Sequence, residues 1–308
     1  MTEVQKGVSD RLCRFIAETP REALDETVYD AAAAALLDAV GVIQAASGMS
    51  AEAQPFLLLA RDGGAGPCRV LGTDIVAQPQ LAALANGALS HALDYEDAFD
   101  AAPSHPNAAF VPAAVALAQA LSAQGRPVGG PQFLTPMGIG CDVACRIGVS
   151  MSRAMEDYGW YPPPIWGALG ATAGTARLLG LDAQRTRDAL SLTLCQIGMP
   201  GEIKYSAGTV IRAVREAFPA QTALVAAQLA QSGAVKGFER PLEGEAGFYR
   251  LSAGGHFDPA RLFADLGERF HIAALSFKPC PSCRGTHAFI QLASGLVAEH
   301  RLDWREID

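Results

Sequence analysis

Basic side chains are scarce in this 308-residue chain: 24 Lys and Arg stand against 32 Asp and Glu, a formal net charge of −8. That balance argues against nucleic acid as the main partner, because phosphates require a basic face. It leaves an anionic small molecule open, since a pocket answers to its local charges. With so few cations, each Arg near a candidate pocket carries weight, because a guanidinium grips a carboxylate through two parallel hydrogen bonds. Aromatic residues are also sparse, at 7%, whereas Gly alone numbers 31 and Ala is abundant. Small side chains let helices approach closely, which points to many tightly packed helices and away from a β-sandwich.

Other absences narrow the class further. The most apolar stretch, Ala31–Ala46, is interrupted by Asp38 and Gln44 and falls short of a membrane span. Met1–Arg21 carries Glu3, Asp10 and Glu18 with no long apolar centre, so it does not read as a secretory signal. Seven cysteines, an odd number scattered along the chain, suit a reducing cytosol better than a disulfide framework, so a cytoplasmic location is expected. There is no Walker loop, no Gly-x-Ser-x-Gly elbow and no His-Glu-x-x-His helix.

What is present is mostly helical. Half the residues are hydrophobic and 18% are charged, enough for a sizeable core. An apolar helical pattern over Thr27–Ser47 stops at Gly48, and Pro79 can open a helix through Leu93. Pro112 is expected to start Ala113–Ala123; Gly167–Leu179 should end at Gly180, and Asp182 should cap Ala183–Ile197. Ala217–Ser232 closes at Gly233. After about residue 250 the style changes: a Gly-containing turn at Ser252–Gly255, β-compatible residues over Phe270–Phe277, a Pro/Cys/Gly loop at Pro279–Gly285, and a helix from Thr286 to His300. The expected fold class is therefore mainly α, a helical domain over residues 1–268 followed by the beginning of an α+β domain over 269–308. Those last residues, roughly forty, are few for an independent core.

Three stretches carry possible chemistry. Asn86-Gly87 through His91, Asp94 and Asp97, continuing to His105-Pro106, would stack His91, Asp94 and loosely Asp97 on one helix face, with His105 returning on a loop. An imidazole beside a carboxylate is the usual means of moving protons at neutral pH; a capped helix end with a solvated acidic loop is the plainer alternative. Gly159–Gly170 holds three successive prolines, read as a rigid extended turn that presents Tyr161 and backbone N–H groups to an anion; an ordinary Pro-rich connection with core Trp residues is the alternative. Phe277–His287 contains Lys278, Cys280, Cys283, Arg284 and His287. The Cys spacing fits a metal or redox pair, but no second pair lies nearby, and the stretch reads better as an anion cradle at a helix start. Cys141 and Cys145, four apart on a helix, read as core thiols. Lys204, Arg212 and Arg215 form either a solvated basic face or carboxylate ligands.

Taken in order, these stretches resemble the MmgE/PrpD family over nearly the whole chain. The Asn86-Gly87 to Asp94 run with His105-Pro106 looks like its signature loop, and Gly159–Gly170 followed by Ala176–Leu181 like its second landmark. Gly233 with Glu243-Gly244 to Gly247-Phe248 fits a third, and Lys278 with the following Pro/Cys loop a fourth. The resemblance implies a large helical domain with a smaller α+β lid, a homodimer, and no metal or organic cofactor. It also implies a cofactor-independent lyase that makes or quenches a carbanion beside a carboxylate of a small di- or tricarboxylic acid. Family activities include 2-methylcitrate dehydration, cis-aconitate decarboxylation and iminodisuccinate epimerisation.

Carried over by position, Asp94 and His105 match an active-site acid and His, Lys278 the lid lysine, and Arg212 a pocket lysine, with Lys204 competing for that last place. Together with Tyr161 as a proton donor or orienting group, and His91, Cys283 and Arg284 around the substrate, these are the expected site. Ala98 stands where the decarboxylases have Thr, Tyr161 where many members have His, and Cys283 where a lid His would be. Those departures point away from the decarboxylase and leave a related lyase or epimerase open, with a dehydratase as the leading expectation. Family members are longer, so the expected lid stops after its first strand and helix. A non-catalytic binder of small acids is the alternative.

Overall fold

Two aspartates set the start of long helices as the sequence suggests. Asp25 accepts a hydrogen bond from the Val28 backbone N–H at the head of α2 (Glu26–Met49), and Asp182 accepts from Arg185 at the head of α8 (Ala183–Leu194). Each satisfies an amide that the helix itself leaves without a partner. The computed structural model describes residues 7–303 and residue 305. Met1–Lys6, Trp304 and Glu306–Asp308, and with them most of the expected featureless terminus, lie outside the described residues.

The fold is mainly helical. Besides α2 and α8 the principal helices are α1 (Val8–Glu18), α3 (Gln54–Asp62), α4 (Pro79–His91), α5 (Pro106–Ala123), α6 (Gly130–Ser150), α7 (Pro162–Leu178) and α10 (Ala217–Gln231), with the one-turn α9 (Ile211–Val214) just before the last. A two-residue ladder, Cys68–Arg69 antiparallel to Val76–Ala77, is the sheet named among the described residues. Helix α4 is the central element: every residue from Ala82 to His91 is buried, with α2, α3, α5 and α10 packed around it. That placement carries His91 to the deep end of the bundle.

Small residues set the closest helix contact, between α6 and α7. A Cβ built on Gly140 would lie 2.7 Å from the Gly170 carbonyl oxygen, and one on Gly170 would lie 2.6 Å from Ala144 Cβ. Both backbones touch because neither position carries a side chain.

Several expected boundaries moved. Gly48 does not end α2; the helix runs to Met49, and the Ser50 N–H still donates to Ala46 O at 2.9 Å. Pro112 lies inside α5 rather than at its start. A proline there removes the N–H that Ala108 O would accept, and the Ser90 hydroxyl, 2.7 Å away on α4, donates in its place. The three prolines at 162–164 are not extended but form the first turn of α7. Pro is pre-shaped for that position, yet three in succession leave that turn without N–H groups, so the expected backbone anion cradle beside Tyr161 does not exist.

The expected strand at Phe270–Phe277 is a 3-10 turn (His271–Ala274) followed by one isolated bridge, Ser276 to Ala98. The fully buried Arg146 explains this. Its Nε donates to Asp142, and its other nitrogens donate to the carbonyls of Leu262, Ala264, Asp265 and Arg269. Asp142 in turn accepts the His271 N–H at 3.0 Å. Within the expected strand the His271 N–H is thus already engaged, and the four carbonyls just before it are fixed by Arg146. Beyond a short helical turn at Pro259–Leu262, the last helix among the described residues, α11 (His287–His300), lies mostly in solvent with Phe289, Leu292 and Leu296 exposed.

Candidate active site

The loop between α4 and α5 builds the site. After His91 the helix stops, the Asp94 N–H donates to His91 O at 2.8 Å, and Asp94 takes a left-handed backbone, φ 51°. Few residues other than glycine adopt that region, and those that do cluster at functional positions. The expected helical stacking of His91, Asp94 and Asp97 is therefore replaced by a turn. The turn folds the Asp94 carbonyl and carboxylate onto the same partner: Lys278 Nζ lies 2.9 Å from Asp94 O and 2.7 Å from Asp94 Oδ1.

Lys278 donates a third bond, 2.9 Å, to Glu96 Oε1. Glu96, unmarked in the sequence reading, is the hub. Its other oxygen lies 2.7 Å from His91 Nδ1, and Oε1 lies 3.1 Å from His105 Nδ1. Burial pushes the Glu96 carboxyl up, but the imidazoles of His91 and His105 and the Lys278 ammonium hold it well below the usual carboxylate range. Burial also lowers both imidazoles, His105 to about 4 despite the pull of Glu96. With the imidazoles neutral, Lys278 is the lasting cation of the cluster. No local signal marks Glu96: it is one of four acids, with Asp94, Asp97 and Asp100, between His91 and His105.

The state of His105 follows from its partners. Nδ1 faces the Asp97 carbonyl at 2.7 Å and the Glu96 carboxylate, neither of which can donate a proton. The Nδ1 position therefore carries the hydrogen, and Nε2 keeps its lone pair. Beside it, the buried Asp97 carboxyl is raised to about 7 by burial, against the hydrogen bond from Asn107 Nδ2 at 2.9 Å.

In front of this cluster opens a cleft of about 430 Å³ lined by Asp94, Ala98, Asp100, His105, Glu156, Tyr161, Lys204, Arg212, Cys283 and Arg284, among others. Six of the eight expected site residues thus share one cavity: Asp94, His105, Tyr161, Arg212, Cys283 and Arg284. The other two, His91 and Lys278, do not line it. His91 is sealed behind Glu96, and the Lys278 side chain is fully buried with its three hydrogens committed. The expectation that Lys278 reaches into the cavity to hold a carboxylate gives way to a counter-ion beneath the loop. Lys204 and Arg212 both face the cleft, while Arg215 is buried against Glu216 at 3.1 Å, with its guanidinium 5.2 Å from the Tyr161 ring centre. Lys204 Nζ sits at the same distance from that ring.

As for metals, His91, Asp94 and Glu96 bring three possible donor atoms within 4.8 Å. The Lys278 ammonium already bonds both carboxylates, so the charge a metal would bring there is supplied by the chain. Cys280, Cys283 and His287 do not form such a group among the described residues, and all seven cysteines are free.

Residues 10–260 match the MmgE/PrpD N-terminal domain. The chain belongs to the MmgE/PrpD family. It is 27% identical over 293 residues to the cis-aconitate decarboxylase-like protein oryM of Aspergillus oryzae, covering 92% of this chain and 60% of that protein. It is 23% identical over 307 residues to a cis-aconitate decarboxylase of Aspergillus terreus, covering 97% and 62%. To the cis-aconitate decarboxylase of Homo sapiens it is 29% identical over 237 residues, covering 74% and 47%. The chain therefore spans about three fifths of the length of the two fungal relatives it matches.

Proposed function

We propose that the cleft binds a small di- or tricarboxylic acid and that this MmgE/PrpD protein acts on it as a lyase, through proton transfer at a carbon next to a carboxylate. The observation that carries the reading is His105: a neutral imidazole with its Nδ1 hydrogen held by Asp97 O, its Nε2 free to take a proton, in a cleft that also holds Lys204, Arg212 and Arg284. Removing a proton beside a carboxylate puts negative charge on that carboxylate, and fixed cations in the cleft stabilise it as it develops. In this reading Tyr161, which lines the cleft with its ring near both Lys204 and Arg215, gives a proton to a leaving group or orients the substrate.

Dehydration of a hydroxy tricarboxylate such as 2-methylcitrate fits a site with Ala98 and Tyr161 and is the leading activity. Decarboxylation of cis-aconitate is the second reading, favoured by the names of the relatives at 23–29% identity. The active assembly is a homodimer in this proposal, and no cofactor takes part. The test is incubation with 2-methylcitrate, cis-aconitate and iminodisuccinate, with products followed by NMR, alongside His105→Gln. Loss of turnover in that variant by 100-fold or more is expected. Binding without turnover of any of the three would make the protein a carboxylate binder, and turnover unchanged by His105→Gln would remove the base from the mechanism.

A further inference from the structure

Every cation that faces the cleft among the described residues already has a carboxylate of the chain beside it. Lys204 Nζ lies 3.5 Å from Glu156, and Arg212 lies 3.5 Å from Asp94. The third pair is of a different quality. Arg284 meets Asp100 through both arms of its fork, Nε to Oδ1 at 3.1 Å and Nη2 to Oδ2 at 3.0 Å. The Ser276 hydroxyl donates to the same Asp100 at 2.9 Å and holds the carboxylate in place. Three positive charges on the wall are thus matched by three negative ones, and the two-armed contact has the geometry with which Arg binds a free carboxylate.

We propose that Asp100 is a built-in competitor: it holds the Arg284 fork as a substrate carboxylate would, and a bound polycarboxylate must take the fork from it. The inference rests on the reading of the cleft as a polycarboxylate site and adds to it a residue that sets affinity and charge preference. An acid that can spare only one carboxylate for Lys204 or Arg212 leaves the Arg284–Asp100 pair intact. A tricarboxylate has a further group with which to displace Asp100, and it gains the fork only by the difference between two similar contacts. Both partners are partly open to water, so the competition is modest, because exposed ion pairs are weak. Asp100 also lies outside the buried Glu96 cluster, so neutralising it leaves the His105 and Lys278 contacts in place.

The experiment is calorimetric titration of the whole chain with tricarballylate, an inert tricarboxylate, and with glutarate, its dicarboxylate counterpart. Asp100→Asn keeps the shape and can still accept from Ser276. It is expected to bind tricarballylate about three- to five-fold more tightly than wild type, with a smaller gain for glutarate. Asp157→Asn serves as the charge control. It removes an acid on the 3-10 turn next to Glu156 that makes no ion pair among the described residues, and less than about 1.5-fold tightening is expected. Unchanged or weaker binding by Asp100→Asn, or equal gains in the two variants, would overturn the proposal. If wild type binds neither acid, the polycarboxylate reading itself fails, and that result is distinct from wild-type binding that Asp100→Asn does not strengthen.

Discussion

Replacing Lys278 with Met separates a buried counter-ion from a substrate-holding lysine. The methionine fills much of the same volume but removes three hydrogen bonds and strands Glu96, which is 2% exposed. Breaking a buried ion pair from one side costs about 3–5 kcal/mol, because the remaining charge has no partner. At roughly 2–3 °C per kcal/mol for a chain of this size, the melting temperature should fall by roughly 6–15 °C at pH 7.5. The pH dependence gives the sign. In wild type the Glu96 carboxyl is held below its ordinary value, so its contribution is present above pH ~4.5 and is lost as pH falls through the lower folded value. Without the ammonium the carboxyl is held less low, by the two imidazoles alone, and the variant recovers part of the loss at acid pH by taking up a proton. The gap between the two proteins should therefore be smallest at acid pH and widen as pH rises through the variant's own Glu96 value. Melting followed by circular dichroism at pH 5, 6 and 7.5 reads this directly. A variant that melts within 2 °C (~1 kcal/mol) of wild type at pH 7.5 would refute the counter-ion argument.

Three further outcomes are expected. Asp97→Asn should gain stability relative to wild type as pH rises from about 4 to 7. Over that range the unfolded Asp97 ionises while the folded one, raised to about 7, does not; a constant difference between the two unfolding curves would contradict it. Ser90→Ala leaves the Ala108 carbonyl inside α5 without its donor and should cost about 1–3 kcal/mol in urea unfolding, whereas an unchanged midpoint would mean that water replaces the hydroxyl. Gly170→Ala drives a methyl into Ala144 and the Gly140 carbonyl and should cost about 1–3 kcal/mol; wild-type stability would show that α6 and α7 separate freely.

The helices were legible where a local device fixes them. Asp25 and Asp182 act through a carboxylate on a backbone amide, Pro79 fits a first turn, and each needs only its neighbours in sequence. The errors fall where a distant residue decides. Pro112 survives inside α5 because Ser90 supplies the missing donor, and the expected strand after Phe270 is lost to Arg146 and Asp142. The site shows the same division. The family resemblance, laid over the residue order, pointed to six side chains that do line one cleft. Depth was not legible: Lys278 and Arg284 lie six residues apart and both read as cations, yet one is sealed under a loop and the other opens to solvent. Glu96 was hidden because nothing local separates it from Asp94 and Asp97; only the fold turns it inward.

The contacts that tie residues 94–100 to residues 276–284 span 176 to 184 positions of chain. On a ribosome, helices α1 to α10 can settle long before Ser276 emerges, but the acidic loop cannot, because its neutralising lysine has not yet been made. The loop around Asp94 and Glu96 is then the last part of the helical body to mature, and its assembly waits on a segment that contributes little to the bundle itself. Slow closure of so long a loop is an entropic matter rather than an energetic one. It would show in pulse-labelled exchange as late protection of the amides around Asp94 while those of α4 and α7 are already shielded.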